Sequence, residues 1–382
     1  MIAIGLMAGT SLDGIDAVRV ALRPSGRGYA FDVEAFVIVP LPGELRAELE
    51  RSWPPQPVDA LRVVALHAAI GEAFGAAALA AGAERADFIA SHGITFAHDG
   101  PARRTLQLGD PFRIREATGR TVIFDFRSAD TAAGGEGAPL VPYVDGLLFG
   151  DAREERVALN LGGIANITVL RPAAPDGVAL AFDCGPANLP IDTYITLRSG
   201  GAERFDRDGA RAARGRADAV LLGRMLADPY FAAAPPKSTG RERFGAAFVA
   251  EHRAALDALP FDDAIATLCA LSVRGIADAV RGHAPAARRI IAGGGGTRNP
   301  ALMDGLRAEL GGVVVEDTAA YGIDPDAKEA LAFAVLGYEA LRERPAGLPQ
   351  VTGARGPRVL GALAPADLDG LLRRLRADAR AL

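Results

Sequence analysis

Cysteine is almost missing from this chain: Cys184 and Cys269 are the two among 382 residues. That excludes a disulfide framework and a four-cysteine zinc site. An excess of one charge is missing too. The 47 acidic and 42 basic residues nearly cancel, leaving −5, so no basic stripe points to nucleic acid. No Walker motif occurs, because neither lysine follows the required glycine spacing. No G-x-G-x-x-G follows the first predicted strand, which argues against a Rossmann unit. The longest apolar stretches are cut by Gly, Arg or Asp short of the ~20 residues of a membrane span. The start of the chain shows neither the basic region nor the cleavage site of a secretory signal. The expectation is a soluble cytoplasmic protein with no nucleic-acid or membrane partner.

Two further scarcities are more specific. Of the 42 basic residues only Lys237 and Lys328 are lysine, and the asparagines are only Asn160, Asn166, Asn188 and Asn299. Ala, Arg and Gly are abundant instead, the pattern left by a bias against A/T-rich codons. All six survivors lie in or beside Gly- or Pro-containing segments. Either they sit in turns, where Asn is favoured anyway, or they are positions that tolerate no substitute.

What is present is a large core and a repeated layout. Apolar residues make up 49%, and the length suits about two domains. Predicted strands cover 2–7, 17–22 and 29–39, followed by a helix over 57–81, a strand at 87–90, a helix at 111–118 and a strand at 121–124. The second half opens in the same way, with strands at 156–161, 164–170 and 178–182. Helices follow over 206–228 (either continuous or broken), 243–259 and 262–283, then a strand at 289–292, a helix at 299–310, a strand at 313–315 and a helix at 325–341. Both halves read strand, glycine turn, strand, strand, then alternating helix and strand. That predicts two α/β domains of similar design, residues 1–140 and 141–382, with ligand bound in the cleft between them and the C-terminal helices able to pack back on the first.

Four segments offer chemistry. In the turn Gly9-Thr10-Ser11-Leu12-Asp13-Gly14, glycines let N–H groups approach an anion and the hydroxyls add donors. Asp13 fits beside phosphate if magnesium lies between them, through water; a polar hairpin tip is the other reading. Gly162-Gly163 repeats the device in the second half. Gly293 to Gly296 follows a strand and precedes a helix for which Asn299 is the expected cap. Four consecutive glycines look ill-suited to packing, and flat backbone there suits adenine or ribose; a flexible connector is the alternative. Asp183 closes a predicted strand, where an open sheet meets its ligand. It is placed either as a general base or as a turn residue. His92 and His98 lack acidic neighbours at ligand spacing, so no metal is expected there.

The segments 7–14, 160–166, 182–188, 236–242 and 294–300 resemble anhydro-N-acetylmuramic acid kinases, as do Asp125-Phe126-Arg127, the 132–142 loop and Asp326-Ala327-Lys328-Glu329-Ala330. The motifs follow the family's order along nearly the whole chain, and contain all four asparagines and both lysines. The resemblance implies two actin-like ATPase (ribonuclease H-like) domains with an interdomain cleft. It implies ATP and Mg2+ as cofactors, a homodimer, and a bacterial enzyme of cell-wall recycling. Water opens the 1,6-anhydro bridge of the sugar and O6 is phosphorylated in one catalytic event, giving N-acetylmuramic acid 6-phosphate. By resemblance Asp183 is the base. Gly9 to Asp16 (including Leu12, Gly14 and Ile15), Gly162, Gly163, Gly294, Gly295, Gly296 and Asn299 face ATP, Asp13 faces the metal, and His92, Arg127, Asp130, Asn188 and Glu329 lie at or near the sugar. Ile94 and Glu136 stand where the family usually has Gln, which bears on the sugar accepted. Ala8, Cys184 and Ala187 are milder departures. An actin-like or chaperone-like ATPase, or a kinase of the same fold for another small sugar, are the competing readings.

Overall fold

A computed structural model describes residues 1–9, 12, 14–25, 28–54 and 56–380. In chain order the strands are β1 (Ile2–Ala8), β2 (Ile15–Ser25), β3 (Gly28–Val39), β4 (Phe88–Asp99), β5 (Arg104–Leu108), β6 (Thr121–Phe124), β7 (Glu155–Leu161), β8 (Ile164–Leu170), β9 (Val178–Pro186), β10 (Ala287–Gly293), β11 (Val314–Asp317) and β12 (Ala362–Ala364). Two compact units result, Met1–Leu148 with Ala327–Leu382, and Phe149–Asp326. The division therefore falls at 148/149, where the sequence reading set 140, and the chain from 327 onward rejoins the first unit.

Among the described residues the first unit has a seven-stranded sheet ordered β12-β6-β4-β1-β2-β3, with β5 on β4. The second has five strands ordered β11-β10-β7-β8-β9. In each, a three-strand antiparallel meander grows from one side of the first strand, β1 or β7. Two parallel strands are added on its other side, β4 and β6 or β10 and β11. This shared order is that of the ribonuclease H-like domains of actin-like ATPases. It realises the repeat seen in the sequence: hairpins need only short turns, while parallel neighbours need helical crossovers.

The long helix Ala60–Ala80 is apolar and long enough, by length and composition, to span a membrane. The sequence reading had set every apolar stretch short of that. Here Leu66, Ile70, Phe74, Ala77 and Ala78 enter the core of the first unit.

The helix Lys328–Leu341 rests on β1 of the same unit. A Cβ on Gly5 would come within 1.8 Å of the Ala330 carbonyl oxygen, so only glycine lets this helix approach. Its first residue, Lys328, forms a buried ion pair with Asp145 at 2.9 Å. Glu329 beside it points another way and is half-buried, as the ~100° step between helical neighbours requires.

Candidate active site

In the second unit β9 is the outer strand of its sheet, and it carries Asp183. The apolar run predicts a strand ending at Phe182; the structure continues it to Pro186. The pairing slips here: Asn166 opposes Asp183 while Ala165 opposes Gly185. Cys184 is the extra residue of a bulge, the device that re-aims side chains beside active sites. Cys184 faces the core, 1% exposed, and Asp183 stays half-buried.

Three groups grip Asp183. Its N–H donates to the Lys237 carbonyl at 3.2 Å, the Thr239 N–H donates to Oδ2 at 2.9 Å, and the Tyr230 hydroxyl donates to its carbonyl at 2.8 Å. Burial pushes the carboxyl up to about 6; the Thr239 bond opposes that and the charge of Glu242 adds to it. A base with a pKa just below neutrality is ionised at pH 7 yet still wants the proton. The segment 236–242 stood out in the sequence without a role for Lys237 or Thr239, and Tyr230 carried no signal at all.

The Gly162-Gly163 turn joins β7 to β8. Ala187 and Leu189 N–H groups donate to the Gly163 carbonyl at 2.9 and 3.0 Å. Asn188 donates to the Gly162 carbonyl through its main chain at 3.1 Å and through its Nδ2 at 3.0 Å. Asn188, expected beside the sugar, is half-buried and also braces the turn. The carbonyls are held back, and among the described residues the Gly163 N–H donates to nothing within the protein. Such a turn presents donors to an anion.

The Gly293–Gly296 segment corrects two expectations. It is not flat, since Gly294 has φ +87° and Gly295–Arg298 forms a 3-10 turn. Packing does require its glycines: a Cβ on Gly294 would lie 2.8 Å from Asn160 Oδ1, and one on Gly296 2.7 Å from Leu161 Cβ. Gly295 remains exposed. Asn299 is the expected cap, its Oδ1 accepting from Ala301 at 3.0 Å and from Leu302 at 3.4 Å. Asn299, expected both as a cap and at ATP, thus spends this oxygen on the helix Pro300–Glu309.

In the first unit Thr10, Ser11 and Asp13 of the first glycine turn lie outside the described residues. Leu12 has φ +57° and donates its N–H to the Gly9 carbonyl at 3.2 Å. Gly14 packs against Ile38 and Val39, Ile15 is fully buried, and Asp16 pairs with Met7 across β1 and β2.

Arg127, His92, Asp130 and Glu329 do converge. Arg127 donates from Nη1 to the Gly137 carbonyl at 2.8 Å, and from Nε and Nη2 to His92 Nε2 at 3.1 and 2.9 Å. Burial draws its pKa down to about 10 against the pull of Glu329 and Asp130. Burial, then the guanidinium, holds His92 well below the usual histidine range. Asp130 was expected at the sugar, but it is 0% exposed. Its Oδ2 accepts from the Gly137 N–H and its Oδ1 from the Thr352 hydroxyl, both at 2.8 Å. It therefore fixes the loop that Arg127 also holds. Ile94 is 0% exposed, a core residue, whereas Glu136 is exposed on that same loop.

The anhydro-N-acetylmuramic acid kinase family model matches residues 1–366. A curated relative of that name from Streptomyces avermitilis is 45% identical over 385 residues, covering 99% of this chain and 98% of its own. One from Pseudomonas paraeruginosa is 44% identical over 372 residues, covering 95% and 98%. With a match running through every segment just described, the chain belongs to the anhydro-N-acetylmuramic acid kinase family.

Proposed function

We propose that this chain uses ATP to phosphorylate 1,6-anhydro-N-acetylmuramic acid at O6 while water opens the anhydro bridge, yielding N-acetylmuramic acid 6-phosphate during recycling of cell-wall sugar. One observation carries the reading beyond family membership. Asp183 is a half-buried carboxylate, gripped at both its main chain and its Oδ2, with its pKa pushed up to about 6. The charge nearest in effect to it is the like charge of Glu242.

Asp183 takes a proton from water as the water oxygen bonds to the anomeric carbon. The C1–O6 bond breaks, O6 attacks the γ-phosphorus, and ADP leaves. Phosphoryl transfer asks mainly for positioning and charge neutralisation. The open N–H of Gly163 supports a phosphate contact, and Arg127 and Glu329 support the sugar. Asp13 offers the hard carboxylate oxygen that magnesium takes. When bound, the ion would neutralise charge on the phosphates. The near-balance of charge supports small-molecule substrates rather than nucleic acid or a membrane surface, and the family resemblance supports a cytoplasmic homodimer.

Turnover in heavy-oxygen water, with rapid reduction to the alditol to block anomeric exchange, tests the reaction. Label on C1 and none in the transferred phosphoryl group is expected. Unlabelled C1 on a phosphorylated sugar would mean an ordinary sugar kinase, and label in free phosphate would mean simple ATP hydrolysis.

A further inference from the structure

Resting on the reading of Asp183 as base, we propose that Lys237 is a positioning residue for it, acting through main chain and side chain together. The Lys237 carbonyl accepts the Asp183 N–H at 3.2 Å on the open edge of β9. The Lys237 Nζ reaches back to the carbonyls of Tyr230, at 2.9 Å, and Phe231, at 3.4 Å. Those carbonyls lie in the last turn of the four-residue helix Pro229–Ala232, where the Ala233 N–H already donates to the Tyr230 carbonyl at 3.2 Å and a cation is favoured as a second donor. The ammonium also lies 4.6 Å from the centre of the Tyr230 ring and 5.7 Å from that of Phe182.

The consequence is a closed loop of contacts. Apart from the β8 ladder, in which Asn166 opposes it, the hydrogen bonds that reach Asp183 come from residues 230, 237 and 239, and the Lys237 ammonium ties 230 to 237. Phe231 adds a fourth restraint by lying on Gly185, where a Cβ would come within 2.7 Å of its ring. A small cavity lined by Phe182, Cys184, Phe231, Lys237 and His283 runs beside the lysine stem. Without the ammonium the helix carrying Tyr230 has room to shift, and Asp183 shifts with it. A displacement of about 1 Å near the chemistry costs on the order of 10²-fold in rate.

Lys237→Met, Lys237→Arg and Asp183→Asn in the full chain test this by steady-state kinetics across pH, with calorimetric melting to confirm folding. Lys237→Met is expected to lose roughly 10- to 100-fold in kcat with the KM for sugar and the affinity for ATP unchanged. Its acid limb of kcat should move upward, because Asp183 stays buried but loses the Thr239 N–H. Lys237→Arg keeps the charge with a longer, planar head, and should fall between Lys237→Met and the unmodified protein. If Asp183→Asn is inactive while folded Lys237→Met keeps the original kcat or the original acid limb, the role of Lys237 is overturned and the base survives. If Asp183→Asn keeps its turnover, the base is wrong and the role of Lys237 falls with it.

Discussion

Arg127 donates two hydrogen bonds to a single atom, His92 Nε2, at 3.1 and 2.9 Å. That fixes the tautomer. Nε2 must be the acceptor, so Nδ1 carries the hydrogen and donates to the Gly93 carbonyl at 3.0 Å. His92 is a neutral support for a guanidinium, with both nitrogens engaged.

His92→Phe keeps the ring volume and its contact with Phe333 but strands two guanidinium donors. Leaving buried donors unpaired costs about 1–3 kcal/mol. The expected outcome is a KM for the sugar raised roughly tenfold with the KM for ATP unchanged, and partial recovery in His92→Gln. Equal effects on both substrates would contradict a role confined to Arg127.

Glu136 is exposed on the loop fixed by Asp130, at a position where the family usually has Gln. If that loop faces the sugar, a negative charge there repels the carboxylate of a muramic acid. Glu136→Gln should lower the sugar KM roughly threefold, the size of an exposed charge effect, with that benefit fading at high salt. An unchanged KM would show the loop does not face the sugar.

Glu339 accepts from the hydroxyls of Tyr29 and Tyr143 while 1% exposed, and burial pushes its carboxyl up to about 7. Its ordinary value is 4.5. Protonation therefore stabilises the fold fully below 4.5, and that stability is lost as the pH rises through 7. Glu339→Gln should melt higher than the unmodified protein at pH 8 by an amount worth about 2–3 kcal/mol, with no gain near pH 4. A gain at both pH values would mean the effect is not ionisation.

Much of this was legible in the sequence. The two meanders followed from short strands opening each half around a glycine turn, and the added strands from the alternation of helix and strand that continues each half. The scarcity of lysine and asparagine marked useful positions: Lys328 is half of a buried ion pair, Asn299 caps a helix, and Asn188 braces the second turn. Other features were hidden for physical reasons. The helix Gly43–Ser52 was unassigned because tertiary packing, rather than a local signal, decides marginal segments; Leu368–Arg380, also unassigned, does show leucines at helical spacing at 368, 371, 372 and 375. The 206–228 stretch, expected as a helix open to a break, does break into Ala210–Arg214 and Ala219–Leu226, where Asp206 and Asp218 each accept from first-turn N–H groups. The family resemblance named Asp130 and Asn299 as ligand contacts. Hydrogen bonds from Thr352 or to a helix start arise only in the folded chain. The grip of Tyr230 on Asp183 spans 47 residues, and nothing local announces it.

If Asp183 takes the proton from water, a near-isosteric amide that cannot do so should abolish the chemistry and spare binding. Turnover of Asp183→Asn with saturating ATP and sugar is the direct measurement, alongside calorimetric titration of ATP. A fall of at least ~10²-fold in kcat with undiminished ATP affinity is the predicted result. Turnover close to that of the unmodified protein would contradict it, and would leave Asp183 a strand residue of the β9 bulge.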